Sequence, residues 1–158
     1  MYRVIYCKYG CLAQELLLPS IELKDLQKLV DGNIEVVPIS FKDNVVVVCN
    51  EEALLKNLSL NRVLYSDIYE TNQVIVGDFI ILSEKETEDG IDFDSIDNDE
   101  VFNRYLERYK YPERIIKTNL NTIVGIPYDP SLKCDKNKQF DYEKDGIMFE
   151  SIDVLDDD

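Results

Sequence analysis

With 158 residues, 45% of them hydrophobic, the chain is long enough to bury one main core, and it has no run of about 18 apolar residues to span a bilayer. Its 32 acidic against 17 basic residues give a net charge of -15, which opposes direct binding to nucleic acid or anionic membranes, because such affinity comes largely from Lys and Arg on phosphates. The absence of histidine removes the usual general base and a common metal ligand, so any catalysis would fall to carboxylates or lysine.

The opening "YRVIYCK" is rich in β-branched and aromatic residues, and Gly10 separates it from "CLAQELLL", which predicts a first hairpin. This apolar start is too short for a secretory h-region and lacks a cleavage pattern, so a cytoplasmic location is expected. Ser20 is a candidate N-cap for "IELKDLQKLV", with Leu23, Leu26, Leu29 and Val30 on one face and Gly32 as the stop. "NIEVVPI" and "NVVVVCN" predict two strands; four consecutive valines suit a strand buried on both faces, and Pro38 marks an edge or a strand end. From Asn50, "NEEALLKNL" has a capping side chain and two acids, which predicts a short helical turn.

"LNRVLYSDIY" reads as irregular. "QVIVGDFIILS" predicts one strand interrupted at Gly77 by a bulge or by close packing, closing the first core near residue 83. An acidic linker then leads through Asp97 and Glu100 into the helix "EVFNRYLERY", which Pro112 stops. Beyond it, "TIVGI" and "GIMFESI" are candidate short strands. Together these elements predict an α+β fold over residues 1–110, a small mixed or antiparallel sheet with two or three helices, and a C-terminal extension with an acidic tail over 111–158.

Charge is unevenly spread. Residues 83 to 100 carry nine acids and one base, residues 139 to 158 eight acids and one base, whereas residues 101 to 138 are net basic. The two acidic tracts hold a repeat, "DGIDFDSID" at 89–97 and "DGIMFESID" at 145–153, identical at seven of nine positions. Nothing long enough to be a second domain follows the second copy. The reading is a repeated entry segment whose apolar pairs, Ile91 with Phe93 and Ile147 with Phe149, dock in equivalent grooves, within one chain or across a homodimer, with Asp94 and Glu150 at the rim.

The blocks "LQKLVDGNIEVVPI", "VVVCNEEA", "LSLNRVL", "VIVGDFIIL" and "DFDSI", in this order over residues 2 to 108, resemble an uncharacterised family of small domains in bacteriophage and plasmid proteins. The family pattern is L-Q-x-x-V-G-G-x-I-E, then N-E, L-N-R and I-V-G. Asp31 replaces the first glycine of the pair, which leaves Gly32 to make most of the left-handed turn. The resemblance implies a mobile-element accessory protein working in the host cytoplasm against a host protein, such as one of a defence system.

Asn50, Glu51, Asn61 and Arg62 fall in the most polar of these blocks. An Arg fork with amides suits an anionic, nucleotide-like ligand. The structural alternatives are a helix cap at Asn50 and an ion pair from Arg62 to Glu51 or Glu52. Asp92, Asp94, Asp97 and Asp99 are dense, yet their spacing misses a twelve-residue calcium loop. Cys7, Cys11, Cys49 and Cys134 are scattered, which predicts free thiols and no metal site or cofactor. The ten tyrosines suit core and rim positions better than base stacking. The leading expectation is a non-enzymatic protein that binds and inhibits a host protein through its acidic surface. Sequestration of a small nucleotide or signalling molecule comes second, and a carboxylate or metal-dependent hydrolase third.

Overall fold

The computed structural model describes residues 1–67, 72–118 and 122–131, together with the backbone of Ile152–Val154. Along these the elements run β1 (Tyr2–Cys7), β2 (Gln14–Leu18), α1 (Leu23–Val30), β3 (Ile34–Val36), β4 (Val45–Asn50), β5 (Leu60–Tyr65), β6 (Asn72–Val76), β7 (Phe79–Thr87), β8 (Gly90–Asp94), α2 (Asp99–Arg108), β9 (Glu113–Thr118), β10 (Ile123–Pro127) and β11 (Ile152–Val154).

The main sheet has the order β2-β1-β7-β4-β3, all antiparallel, and β8 joins it by pairing with β7. Strand periodicity sends alternate side chains to opposite faces, and both faces are covered. Val45, Val47, Cys49, Phe79 and Ile81 face one core, which also takes in Phe102 and Tyr105 from α2, Tyr109 at its C-cap, and Leu64 and Ile75 from the β5–β6 ribbon. Val4, Val48, Ile80 and Leu82 face a second core under α1, closed by Leu26 and Val30. The valine run is thus buried from both sides. Strands β9, β10 and β11 form a third sheet, in which β9 packs against β5.

The α+β expectation is overturned. The described chain is predominantly antiparallel sheet, divided among three sheets, with two short helices. Residues 51–57 form consecutive turns, and Asn57 leaves helical space at φ 53. "LNRVLY", expected to be irregular, is β5, and "ERIIKT", which has no strong strand pattern of its own, is β9; in both, packing outweighs the polar residues. Gly77 is a closely packed corner and not a bulge: at φ 79 it sends β6 and β7 into different sheets, and, as the close-packing alternative expected, a side chain there would press on Leu58. Most consequentially, the acidic "linker" is a hairpin. β7 runs on to Thr87 and turns back through β8, with Lys85 opposite Asp92 and Glu84 opposite Phe93.

The helix ends also differ from expectation. Glu22 caps α1, its N–H donating to the Asp25 carboxylate at 3.0 Å, while Ser20 lies two residues earlier. Asp31 itself takes the left-handed C-cap position at φ 57, ψ 49. Gly32 is required for a different reason: a Cβ there would lie 2.7 Å from the Asn50 amide nitrogen. Asn98, and not Asp97, caps α2, accepting from Val101 N–H at 3.0 Å.

Candidate functional site

Asn50 closes α1 from outside. Its amide donates to the carbonyls of Val30 and Asp31 at 3.0 and 3.1 Å, satisfying acceptors that the helix end leaves open, while its oxygen accepts from Glu52 N–H at 2.8 Å. The residue is 3% exposed. Glu51 is exposed beside it, with its backbone N–H bound to the Asn33 carbonyl.

Asn61 and Arg62 are neighbours in sequence, yet both point inward, because a bulge between Leu60 and Arg62 breaks the alternation of β5. The Asn61 amide donates to Cys7 and Gly77 carbonyls, at 3.0 and 2.8 Å, and its oxygen accepts from Arg62 Nη1 at 2.6 Å. Arg62 Nε donates to the carbonyls of Tyr109 and Tyr111, and Nη2 to that of Cys11 at 2.6 Å. The guanidinium therefore ties the β1–β2 loop, the end of α2 and the start of β9 to β5, at 0% exposure. Its partners are three main-chain carbonyls and the Asn61 side-chain oxygen, and not Glu51 or Glu52; Glu52 instead pairs with Lys56. The structure brings Asn61 and Arg62 together and ties Asn50 to a different helix end.

Around this knot, burial controls the titrations. It pushes the Cys7 thiol up to about 12, against the lowering effect of Arg62, so the thiol stays protonated. It also raises the Tyr109 hydroxyl to about 12. The Glu113 carboxyl is raised by burial, opposed by the Val63 N–H it accepts at 2.9 Å and by Arg62. A side chain at Gly125 would collide with this carboxylate. Glu113 was silent in the sequence; only the β9–β10 pairing and the packing on β5 reveal it.

The second polar region is open. Residues 83–94 form the β7–β8 hairpin, and Glu86, Glu88, Asp89, Asp92 and Ile91 are exposed, the last at 65%. Phe93 packs partly against the α1 core, so the apolar pair divides: Phe93 docks and Ile91 faces solvent. Asp94 caps the Ser95 N–H at 2.8 Å, and Ile96 enters the main core. Arg3, which no sequence signal marked, fastens this segment. Its N–H donates to Ser95 Oγ, Nε to the Ile96 carbonyl, Nη2 to the Asp97 carbonyl and Nη1 to Asp99 Oδ1, and its guanidinium lies 4.4 Å over the Phe102 ring. The four aspartates are thus separated along a strand and a helix start. Among the described residues no three of Asp, Glu, Cys or His are placed to hold a metal ion.

Where β1 and β8 diverge, a cleft of about 500 Å³ opens. Tyr2, Ile21, Leu23 and Phe93 supply its apolar lining, and Glu22, Asp92 and Lys85 its charged rim. Leu23, expected on the buried face of α1, is 58% exposed at this cleft. Of the second repeat copy, Ile147, Phe149 and Glu150 lie outside the described residues, as does Cys134. The backbone of its last residues enters β11, where Ile152 stands opposite Thr118 of β9.

Residues 4–110 match the model of a family described as Domain of unknown function (DUF3846). The chain belongs to that family. The matched span holds the Asn50 cap, Asn61, Arg62 and the whole acidic hairpin, and it ends where Arg62 grips the main chain at Tyr109 and Tyr111. No curated protein and no solved structure matches the chain. No helix among the described residues is long and apolar enough to cross a membrane.

Proposed function

We propose that this chain is a non-enzymatic binding protein that engages a basic face of another protein through its β7–β8 hairpin, and that it serves a bacteriophage or other mobile element by blocking a host protein in the host cytoplasm. The observation that carries the reading is the state of the acidic tract: nine acids and one base over residues 83 to 100 are held on a hairpin and on a segment clamped by Arg3. A fixed array of like charges costs less ordering entropy on binding than a tail would, and it steers an oppositely charged partner. The mobile-element setting rests on the sequence resemblance alone. Nucleotide sequestration around Asn61 and Arg62 would need groups that are here enclosed and bonded to carbonyls.

The test is capture from bacterial lysate with the intact chain and with a Glu86→Lys, Glu88→Lys, Asp92→Lys variant. The expected partner is retained at low salt, released near about 0.5 M salt, where the Debye length falls to a few ångströms, and lost with the variant. A partner that survives both changes overturns the electrostatic reading.

A further inference from the structure

We infer that the partner joins this chain by adding an extended, lysine- or arginine-bearing segment to the edge of β8, with an apolar side chain of that segment seated in the adjoining cleft. This rests on the binding reading above and deepens it. Among the described residues β8 pairs with β7 alone. The backbone along its other side is therefore the kind of surface that an extended peptide uses to join a sheet.

The edge borders a prepared space. The cleft beside it holds about 500 Å³ between Phe93 of β8 and Tyr2, Ile21 and Leu23, enough for one large apolar side chain with part of its backbone. Leu23 lines it at 58% exposed, and Ile91, 65% exposed, lies two positions along β8 from Phe93; both are apolar side chains left uncovered among the described residues.

Charge decides what kind of strand fits. Natural edge strands are guarded by charge against accidental pairing, and the guard here has one sign, with Glu86, Glu88 and Asp92 exposed and Lys85 the sole base of the hairpin. Such an edge repels acidic strands, including a second copy of this hairpin, and admits basic ones. The acids supply attraction without register; the backbone edge and the cleft supply register without attraction.

The experiment titrates the full chain with three synthetic peptides of about seven residues, a typical strand length. One alternates lysine and valine, one alternates glutamate and valine, and one is the lysine–valine peptide N-methylated at alternate backbone nitrogens, which keeps the charge and removes the donors on one edge. Calorimetry reads affinity and amide NMR reads location. The expected result is binding of the lysine–valine peptide with shifts at Ile91 and Phe93, binding about tenfold or more weaker for the N-methylated peptide, and none for the glutamate peptide. A Leu23→Lys variant, which places a like charge in the cleft, should weaken the lysine–valine peptide while leaving the melting temperature unchanged. Equal binding of the plain and N-methylated peptides overturns strand addition while leaving the acidic-surface reading standing. No binding of any peptide also overturns it. Loss of the lysate partner's dependence on the hairpin acids overturns the underlying reading separately.

Discussion

The knot around Arg62 and the hairpin of residues 83–94 are both built from charged residues on β-strands, and burial separates their roles. Arg62 is enclosed, and its donors are spent on the carbonyls of Cys11, Tyr109 and Tyr111 and on Asn61. A buried cation with its donors engaged is a structural fastener, because any ligand would first have to break bonds that nothing else can replace. The hairpin acids stay in water, and among the described residues β8, which carries some of them, pairs on one edge only. Arg3 stands between the two cases: its side chain is largely covered, yet it bonds the exposed Asp99 and holds the acidic segment against β1. A polar sequence block is therefore available to a partner only where the fold leaves it unspent.

Substitutions can break this contrast in graded steps. Arg62→Ala should be the most damaging, because it strands several buried carbonyls and the Asn61 oxygen at once; a loss of about 3 to 5 kcal/mol is expected in urea unfolding, with Arg62→Lys recovering only part of it. If Arg62→Ala folds with wild-type stability, the fastener role is wrong. Asn50→Ala should cost about 2 kcal/mol by opening the end of α1, and the loss should appear as faster amide exchange within α1. Arg3→Ala should cost about 1 to 2 kcal/mol, with exchange rising first over residues 96–99, where its guanidinium bonds the Ile96 and Asp97 carbonyls and the Asp99 carboxylate.

A pH series sharpens the same contrast. Burial raises the Glu113 carboxyl, so the folded state holds its proton more tightly than the unfolded chain does. The stability this gives is present at low pH and is lost as pH rises from about 4.5 through the folded value. Glu113→Gln should flatten that fall in melting temperature. Asp43 and Asp67 move the other way. The side-chain hydrogen bond from Arg104 lowers Asp43, and the Lys42 N–H and Arg108 lower Asp67 against the cost of burial. Their contribution is present at neutral pH and is lost as pH drops through and below about 3.8. Smallest of all should be the effect of the Glu86→Lys, Glu88→Lys, Asp92→Lys variant on stability, within about 0.5 kcal/mol, since these side chains lie on the surface. If that variant unfolds the chain, the hairpin acids are structural and the contrast collapses.

Several elements were legible because they depend on local pattern. The first hairpin, α1, the valine strand and α2 follow from periodicity and turn residues, which act within a few positions of themselves. The acidic tract and its repeat were equally plain as composition. What misled was context. "LNRVLY" looked irregular because its Asn-Arg pair interrupts the alternation, and the bulge that turns both residues inward is stabilised by carbonyls 47 and more residues away. "ERIIKT" becomes a strand only with β10 and β5 beside it. The acidic tract looked like a linker because its charge matches a solvated loop, while its pairing is decided by the continuation of β7 past Leu82.

By itself the sequence determined the net charge, the two-faced burial of the valine run, the two helices and the place of the acids along the chain, all quantities carried by composition or short-range period. The tertiary structure alone decided which polar residues were spent. Arg62 and the Asn61 amide reach main-chain carbonyls that lie far away in sequence, and Arg3 reaches across more than 90 residues to Ile96 and Asp97. Those partners exist only once the strands have assembled. The same assembly turned "DGIDFDSID" from an acidic motif into a hairpin strand with Phe93 docked, one edge paired with β7 and its tail clamped to β1.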